Sequence, residues 1–354
     1  MSMTTTEIDQ LMRRLADVET PLAVAQLYQL SDLSGETLDQ FRRAWPDIPL
    51  KRRRQIISFL VEIAESSFEV DLEAIFHACI EDADQEVRTR SIEGLWESED
   101  EELIAPFLDM AQNDPAVPVR AAAASALGRF VLLGELDRLP AQRQRAIEEV
   151  LLTLIRSHGE DIEVQRRAVE ALACSSREEV LTIIESAYQH QDRRMRVAAV
   201  FAMGRNLDTQ WEPLVLDELH SHDPELRFEA ARACGELELV AAVPRLAELL
   251  DDPDREVQEA SIWALGQIGS QKARQILEAC YEIIVRDDEA FREALEEALS
   301  EAALVSGAVR FPFYEYEIDA EPETDSWADE WLGGVIQDRL DDEVDTTLLD
   351  NSDS

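Results

Sequence analysis

A signature about 31 residues long recurs along this chain, and internal repetition at such a period points to an array of stacked units, not to one packed globule. The clearest copy is DDPDREVQEASIWALGQIG, residues 251–269. Similar stretches begin at His222, Gln191, Asn113 and Glu81, and weaker ones at Glu160, Pro46 and Arg286. Taking the polar residue after the first apolar position as an anchor aligns eight copies on Lys51, Arg88, Arg120, Gln165, Arg196, Arg227, Gln258 and Arg292. The spacings are 37, 32, 45, 31, 31, 31 and 34. The 45-residue step carries extra length, which we place near residues 134–144 as longer helices or a protruding loop.

Each aligned position has a physical task. Four residues before the anchor stands Asp47, Asp84, Asp161, Asp192, Asp223, Asp254 or Asp288, with Ala116 in the third copy. An aspartate there accepts from the free amides of a starting helix and suits its positive end, so these residues read as helix caps. The residue before the anchor is apolar in every copy, from Leu50 to Phe291. Seven after it come Leu95, Leu127, Leu172, Met203, Cys234, Leu265 and Leu299, with Ser58 the exception. Three after it the residue is small in six copies: Ser91, Ala123, Ala168, Ala199, Ala230 and Ser261. Positions −1, +3 and +7 share one face of a helix. A second amphipathic stretch lies between the signatures, as in VPRLAELL from Val243. Each repeat is therefore helix, capped turn, helix, and such a pair buries its apolar face only against its neighbours.

The D-P-x-x-E-V-R and A-x-A-L-G elements resemble the short HEAT-like repeats of phycobilin lyases. The resemblance implies an all-α fold, an α-solenoid or armadillo-type superhelix of about eight helical hairpins. Residues 1–45 read as an N-terminal helical cap, 46–306 as the repeat array, and 307–354 as an acidic tail containing aromatic residues. Proteins of this kind are mostly scaffolds that grip another protein on a concave surface, and that is the expected function. The resemblance carries two enzymatic alternatives, a lyase or chaperone for a tetrapyrrole chromophore and a metal-dependent hydroxylase of the deoxyhypusine type. The second relies on His-Glu dipeptides, and none of His77, His158, His190, His220 or His222 is followed by Glu. His220, His222 and Asp223 read as solvated turn residues. No metal site, catalytic residue or cofactor is expected.

Charge narrows the partner. The chain holds 76 Asp and Glu against 33 Lys and Arg, a net charge of −43, which disfavours nucleic acid and anionic membrane surfaces. Residues 315–354 contribute −14 of that total. The expected partner is another protein, a basic one by charge. No run approaches the length of a membrane span, the N-terminus lacks the pattern of a signal peptide, and a cytoplasmic protein is the plain expectation. Cys79, Cys174, Cys234 and Cys280 are widely spaced and read as buried apolar residues.

Three groups stand out as binding candidates. At about 100° per residue, positions +1 and +5 point away from the core face, which selects Val197 and Phe201, Phe228 and Arg232, and Trp263 as a partner-binding ridge, or as rings packed between adjacent repeats or under the tail. A basic cluster comprises Arg42, Arg43, Lys51, Arg52, Arg53 and Arg54. It reads either as a site for phosphate or an acidic peptide, or as ion pairs to neighbouring carboxylates, and the chain's own tail is a further occupant. In the tail, Trp327, Trp331, Val335 and Ile336 fall near one face of a helix that the glycines at 333 and 334 weaken. This stretch reads as a solubilising segment or as a recognition element that docks on the solenoid.

Overall fold

The computed structural model describes residues 4–67, 70–284 and 289–305. The tail candidates Trp327, Trp331, Val335 and Ile336, and the cap candidate Asp288, lie outside the described residues. What is described is helical, with no strand among those residues.

The chain forms two compact units, Met1–Ala202 and Met203–Ser354. The first opens with α1 (Thr5–Ala16), the short α2 (Val24–Leu27) and α3 (Gly35–Ala44), then α4 (Leu50–Ser66). It continues through α5 (Glu73–Cys79), α6 (Gln85–Glu93), α7 (Ile104–Asn113), α8 (Val117–Glu135), α9 (Ala141–Arg156), α10 (Ile162–Leu172) and α11 (Glu178–Tyr188). The boundary falls within α12 (Arg193–Asn206). The second unit adds α13 (Glu212–Glu218), α14 (Pro224–Glu236), α15 (Val243–Glu248), α16 (Arg255–Ile268), α17 (Gln271–Ile284) and α18 (Glu289–Val305). From α3 onward the helices pair into hairpins, and the even-numbered helices carry the recurring signature. The extra length near residues 134–144 goes into helix: α8 and α9 run 19 and 16 residues, and the turn between them is short.

The core sits where the periodicity puts it. Val87, Val119, Val164, Val257, Leu127, Leu172 and Leu265 are fully buried, as are all six small residues at +3. Burying one such aliphatic side chain is worth about 1.5–3 kcal/mol. The A-L-G end of the motif has its own packing role. A Cβ on Gly128 would lie 3.0 Å from the Cα of Ala171, and one on Gly204 2.8 Å from that of Ala233. The same holds for Gly235 against Ala264 and Gly266 against Ala298, both 2.9 Å. Glycine at +8 of one signature helix thus receives the alanine at +6 of the next, and the two backbones nearly touch.

Caps and anchors connect successive repeats. Asp84, Asp161, Asp223 and Asp254 occupy N-caps and accept the amides of Glu86, Glu163, Glu225 and Glu256. Asp192 accepts the amide of Arg194 in the same way, at 2.9 Å. The anchor side chain then bonds backward and forward. Nη1 of Arg88, Arg120 and Arg227 donates to the carbonyl six residues upstream, at 2.8, 2.8 and 2.9 Å. Nε and Nη2 of Arg88 fork onto Asp114, and those of Arg227 onto Asp252, in the following turn. Arg120 reaches Glu160 likewise.

The first copy follows this scheme in a shifted register. Asp47 is not a cap: it ends a 3-10 turn at Trp45–Asp47, and Pro49 stands at the N-cap of α4 with no side-chain cap. Proline presets the backbone for a helix start and brings no amide that needs a partner. The structural anchor of this copy is therefore Arg53, which donates to the carbonyl of Ile48 and pairs with Asp82 in the next turn. Counting from Arg53 puts the buried Leu60 at +7 and removes the exception at Ser58.

Non-glycine residues with left-handed backbone mark several helix ends: Asp137 (φ 57°), Leu207 (φ 58°) and Glu238 (φ 52°), where α16 ends in Gly269 (φ 57°). At Glu238 the amide of Leu239 donates to the carbonyl of Cys234 and that of Glu238 to Gly235, which fixes the left-handed geometry. Glu238→Gly is expected to stabilise the second unit by up to about 1 kcal/mol, because removing the Cβ penalty outweighs the extra unfolded-state freedom that glycine brings. Urea midpoints of the two proteins check this. Helix α8 is long and apolar enough to cross a membrane by composition; in the structure Val119, Ala123, Leu127 and Phe130 are buried in the core.

Candidate functional site

Five of the six residues of the basic cluster make contacts within the fold. Arg42 pairs with Asp39, and Nε of Arg43 donates to the Asp39 carbonyl. Arg53 holds Asp82, and Arg54 forks onto Asp84 at 2.9 and 2.7 Å while also meeting Glu86. That fork, the strongest influence on it, holds the Asp84 carboxyl below its usual value. Arg52 is buried and its Nη2 donates to the carbonyls of Asp17 and Thr20, both at 2.6 Å, just beyond the C-terminus of α1. A cation beside carbonyls that the helix leaves free is favoured there. Lys51 is exposed with no described contact and Arg42 and Arg43 are exposed too, while Arg52, Arg53 and Arg54 are buried or half-buried in contacts within the fold.

The histidines are dispersed. His77 is half-buried on α5, while His158, His190, His220 and His222 are exposed. Among the described residues no group of three or more His, Cys, Asp or Glu could hold a metal ion. None of the four cysteines is in a disulfide, and Cys79, Cys234 and Cys280 are buried. Burial pushes the Cys79 and Cys234 thiols well up, away from thiolate chemistry.

The outward ridge is only partly as periodicity predicts. Val197 is 6% exposed and offers no surface to a partner. In a stack of helices the +1 direction lies beside the flank of a neighbour, so a short side chain is covered there; Ala121, the equivalent residue of α8, is buried as well. Phe201 is half-buried at the end of the first unit.

In the second unit Phe228, Arg232 and Trp263 are all half-buried. The Trp263 ring lies in the notch left by Gly235, where a Cβ would come within 2.6 Å of it, and the Arg232 guanidinium stacks over its face at 4.3 Å. Such a stack is worth about 0.5–1 kcal/mol at a wet surface and more when dry. One turn beyond Arg232 on α14 comes Glu236, which sequence reasoning missed because nothing in its local pattern marks it. Its side chain is 14% exposed and lies 3.5 Å from Arg205. Burial pushes its carboxyl up from the usual value, and Arg205 and Arg232 offset only part of that. Phe228, Arg232 and Glu236 are spaced four residues apart on α14, and Trp263 stands beside them on α16: two aromatic surfaces, a stacked guanidinium and a poorly solvated carboxylate on one stripe.

Comparison with known proteins places the architecture. Over 83 residues the chain is 30% identical to the uncharacterized phycocyanin operon protein Y of Pseudanabaena tenuis (strain PCC 7409), a match covering 22% of this chain and 20% of that one. The chain thus matches about a fifth of that relative's length. Among solved structures, the complex of CpcE and CpcF of phycocyanin lyase from Nostoc sp. PCC7120 aligns at 16% identity and a TM-score of 0.48, covering 81% of this chain and 97% of that one. Human deoxyhypusine hydroxylase aligns at 20% identity and a TM-score of 0.34, covering 75% and 96%. Residues 72–149 and 212–300 match the family described as HEAT repeats, in two stretches that hold arginine links between hairpins, and these stretches of the solenoid are HEAT repeats.

Proposed function

We propose that the protein is a non-catalytic scaffold that binds another protein along its signature helices, with Phe228, Arg232 and Trp263 as the anchoring surface. The observation that supports this most is the Arg232–Trp263 stack beside Phe228. Arginine and tryptophan carry a disproportionate share of binding energy at interfaces, and here they are pre-arranged, so little freedom is lost on contact. The net charge of −43 selects a basic partner and speeds encounter, and it makes association sensitive to salt.

The test compares capture of partners by the wild-type chain and by Phe228→Ser/Trp263→Ser, followed by binary binding of the purified partner at low and high salt. The double variant should weaken binding by about a hundredfold, as loss of two hot-spot residues does. Unchanged affinity with the helical content intact sinks the anchoring surface. A second reading, handling of a linear tetrapyrrole, is favoured by the 83-residue likeness to a phycocyanin operon protein. A shifted visible absorption band after incubation with bilin would support it, and an unshifted band would remove it.

A further inference from the structure

Four tryptophans fall among the described residues, and three of them are engaged. Trp45 and Trp211 are buried, their indole N–H groups donating to Asp82 and Asn206 at 2.8 and 3.0 Å, and Trp263 lies under the Arg232 guanidinium. Trp96 in the first unit is the exception: it is 57% exposed, and no group among the described residues accepts from its indole. A ring of this size presents a large apolar face to water and is a ready anchor for a partner.

Trp96 is held in place by its turn. It follows α6 where the amides of Leu95, Trp96 and Ser98 donate to the carbonyls of Ile92, Glu93 and Leu95. Leu95 and Leu103 on either side are buried, the Ser98 hydroxyl donates to Glu73 on α5, and the Asp100 carboxyl accepts the Glu102 amide at 2.9 Å. Arginines of α8, α9 and the turn between them grip the same stretch: Arg129 and Arg138 hold Glu99, and Arg143 holds Glu101. Leu136, 56% exposed, stands two residues before Arg138 and brings a second apolar side chain to that turn.

Charge selects what the turn can take. Residues 93–102 carry six carboxylates, on Glu93, Glu97, Glu99, Asp100, Glu101 and Glu102. Glu93 pairs with Arg90, and Glu99 and Glu101 are paired as above. Glu97, Asp100 and Glu102 are exposed and meet no cation among the described residues. An exposed indole flanked by such carboxylates suits a cation, which the ring face attracts and the carboxylates pair with. Phosphates and anionic lipids are repelled by the same charges. We propose that this turn is a second protein-binding surface, which receives a basic segment of a partner: an Arg or Lys side chain over the Trp96 ring, further cations on Glu97 and Glu102, and an apolar residue against Leu136. Because the turn is already fixed, little of it is ordered on binding. The surface rests on the reading of the chain as a binder of basic proteins, and not on the stripe of the second unit.

The test titrates a deca-arginine peptide into the full-length chain labelled with fluorotryptophan and follows the fluorine NMR lines, that of Trp96 being identified by its loss in Trp96→Phe. The Trp96 line should shift while those of the buried Trp45 and Trp211 stay in place. Its midpoint should rise about fivefold in Glu97→Gln/Glu102→Gln, the effect of losing two exposed ion pairs. Phe228→Ser/Trp263→Ser should leave that midpoint where it is, and circular dichroism confirms that the variants fold. A Trp96 line that does not move would overturn this surface; movement of the Trp263 line in the same titration would then keep the basic-partner reading and its stripe. An unchanged midpoint in Glu97→Gln/Glu102→Gln would overturn it as well. So would a larger shift with phosphatidylcholine vesicles than with the peptide, which would assign the ring to a lipid surface.

Discussion

Gly266→Val is expected to destabilise the second unit by about 3 kcal/mol, at the upper end of what overpacking costs. Even a Cβ at this position would lie 2.9 Å from the Cα, 3.0 Å from the Cβ and 3.0 Å from the carbonyl oxygen of Ala298 on α18. Two of those three atoms are backbone, so no rotamer change relieves the contact. The helices must separate, and the interdigitated residues Leu265, Leu295 and Ala302, now buried, lose contacts. Urea unfolding of the full-length chain measures the effect. Gly266→Ala paired with Ala298→Gly should recover most of the loss suffered by Gly266→Ala alone, because the two substitutions exchange the notch and the bump. A loss below about 0.5 kcal/mol for Gly266→Val, the ordinary scale for surface changes, would mean that α16 and α18 do not pack this closely in solution.

This contact was half legible in the sequence. The alignment places Ala at +6 and Gly at +8 in the better copies, and periodicity alone finds the face at −1, +3 and +7. That the glycine of one repeat meets the alanine of the next is a relation between repeats, which no local pattern contains. The same limit explains the errors. Pro49 starts α4 without an aspartate, so a register keyed to aspartate slides by two residues and nominates Asp47 and Lys51 in place of Pro49 and Arg53. Arg52 looks like part of a surface cluster, yet it is buried because the chain end of α1 brings carbonyls to it. Val197 points outward on an isolated helix and inward in a stack. At the candidate site, Phe228, Arg232 and Trp263 were found by position, whereas Glu236 depends on the approach of Arg205 from α12 and has no signature of its own.

Removing either partner of the Arg227–Asp252 link should cost about 3–5 kcal/mol, the range found when one member of a buried ion pair is left behind. The two side chains are 11% and 5% exposed, and both bonds of the fork measure 2.8 Å. Arg227→Met strands the Asp252 carboxylate, although the amide of Asp254 still donates to it at 2.9 Å. Asp252→Leu strands the guanidinium, which keeps only the carbonyl of Ser221. The double variant replaces the pair by apolar groups and should recover much of the loss, because desolvating the two charges cancels most of their attraction. A double-mutant cycle with no coupling would show that the link is incidental. The pH dependence offers a second readout. Burial pushes the Asp252 carboxyl up, but the Arg227 fork and the Asp254 amide outweigh it and hold the group below its usual value. A carboxyl depressed in the folded state stabilises it above the unfolded value near pH 4, and that contribution disappears as pH falls through the lower folded value. The wild-type chain should therefore lose stability below about pH 4 more steeply than the double variant. Parallel curves would mean that Asp252 ionises alike in folded and unfolded chains, and the hydrogen-bonded link between these two hairpins would then not hold in solution.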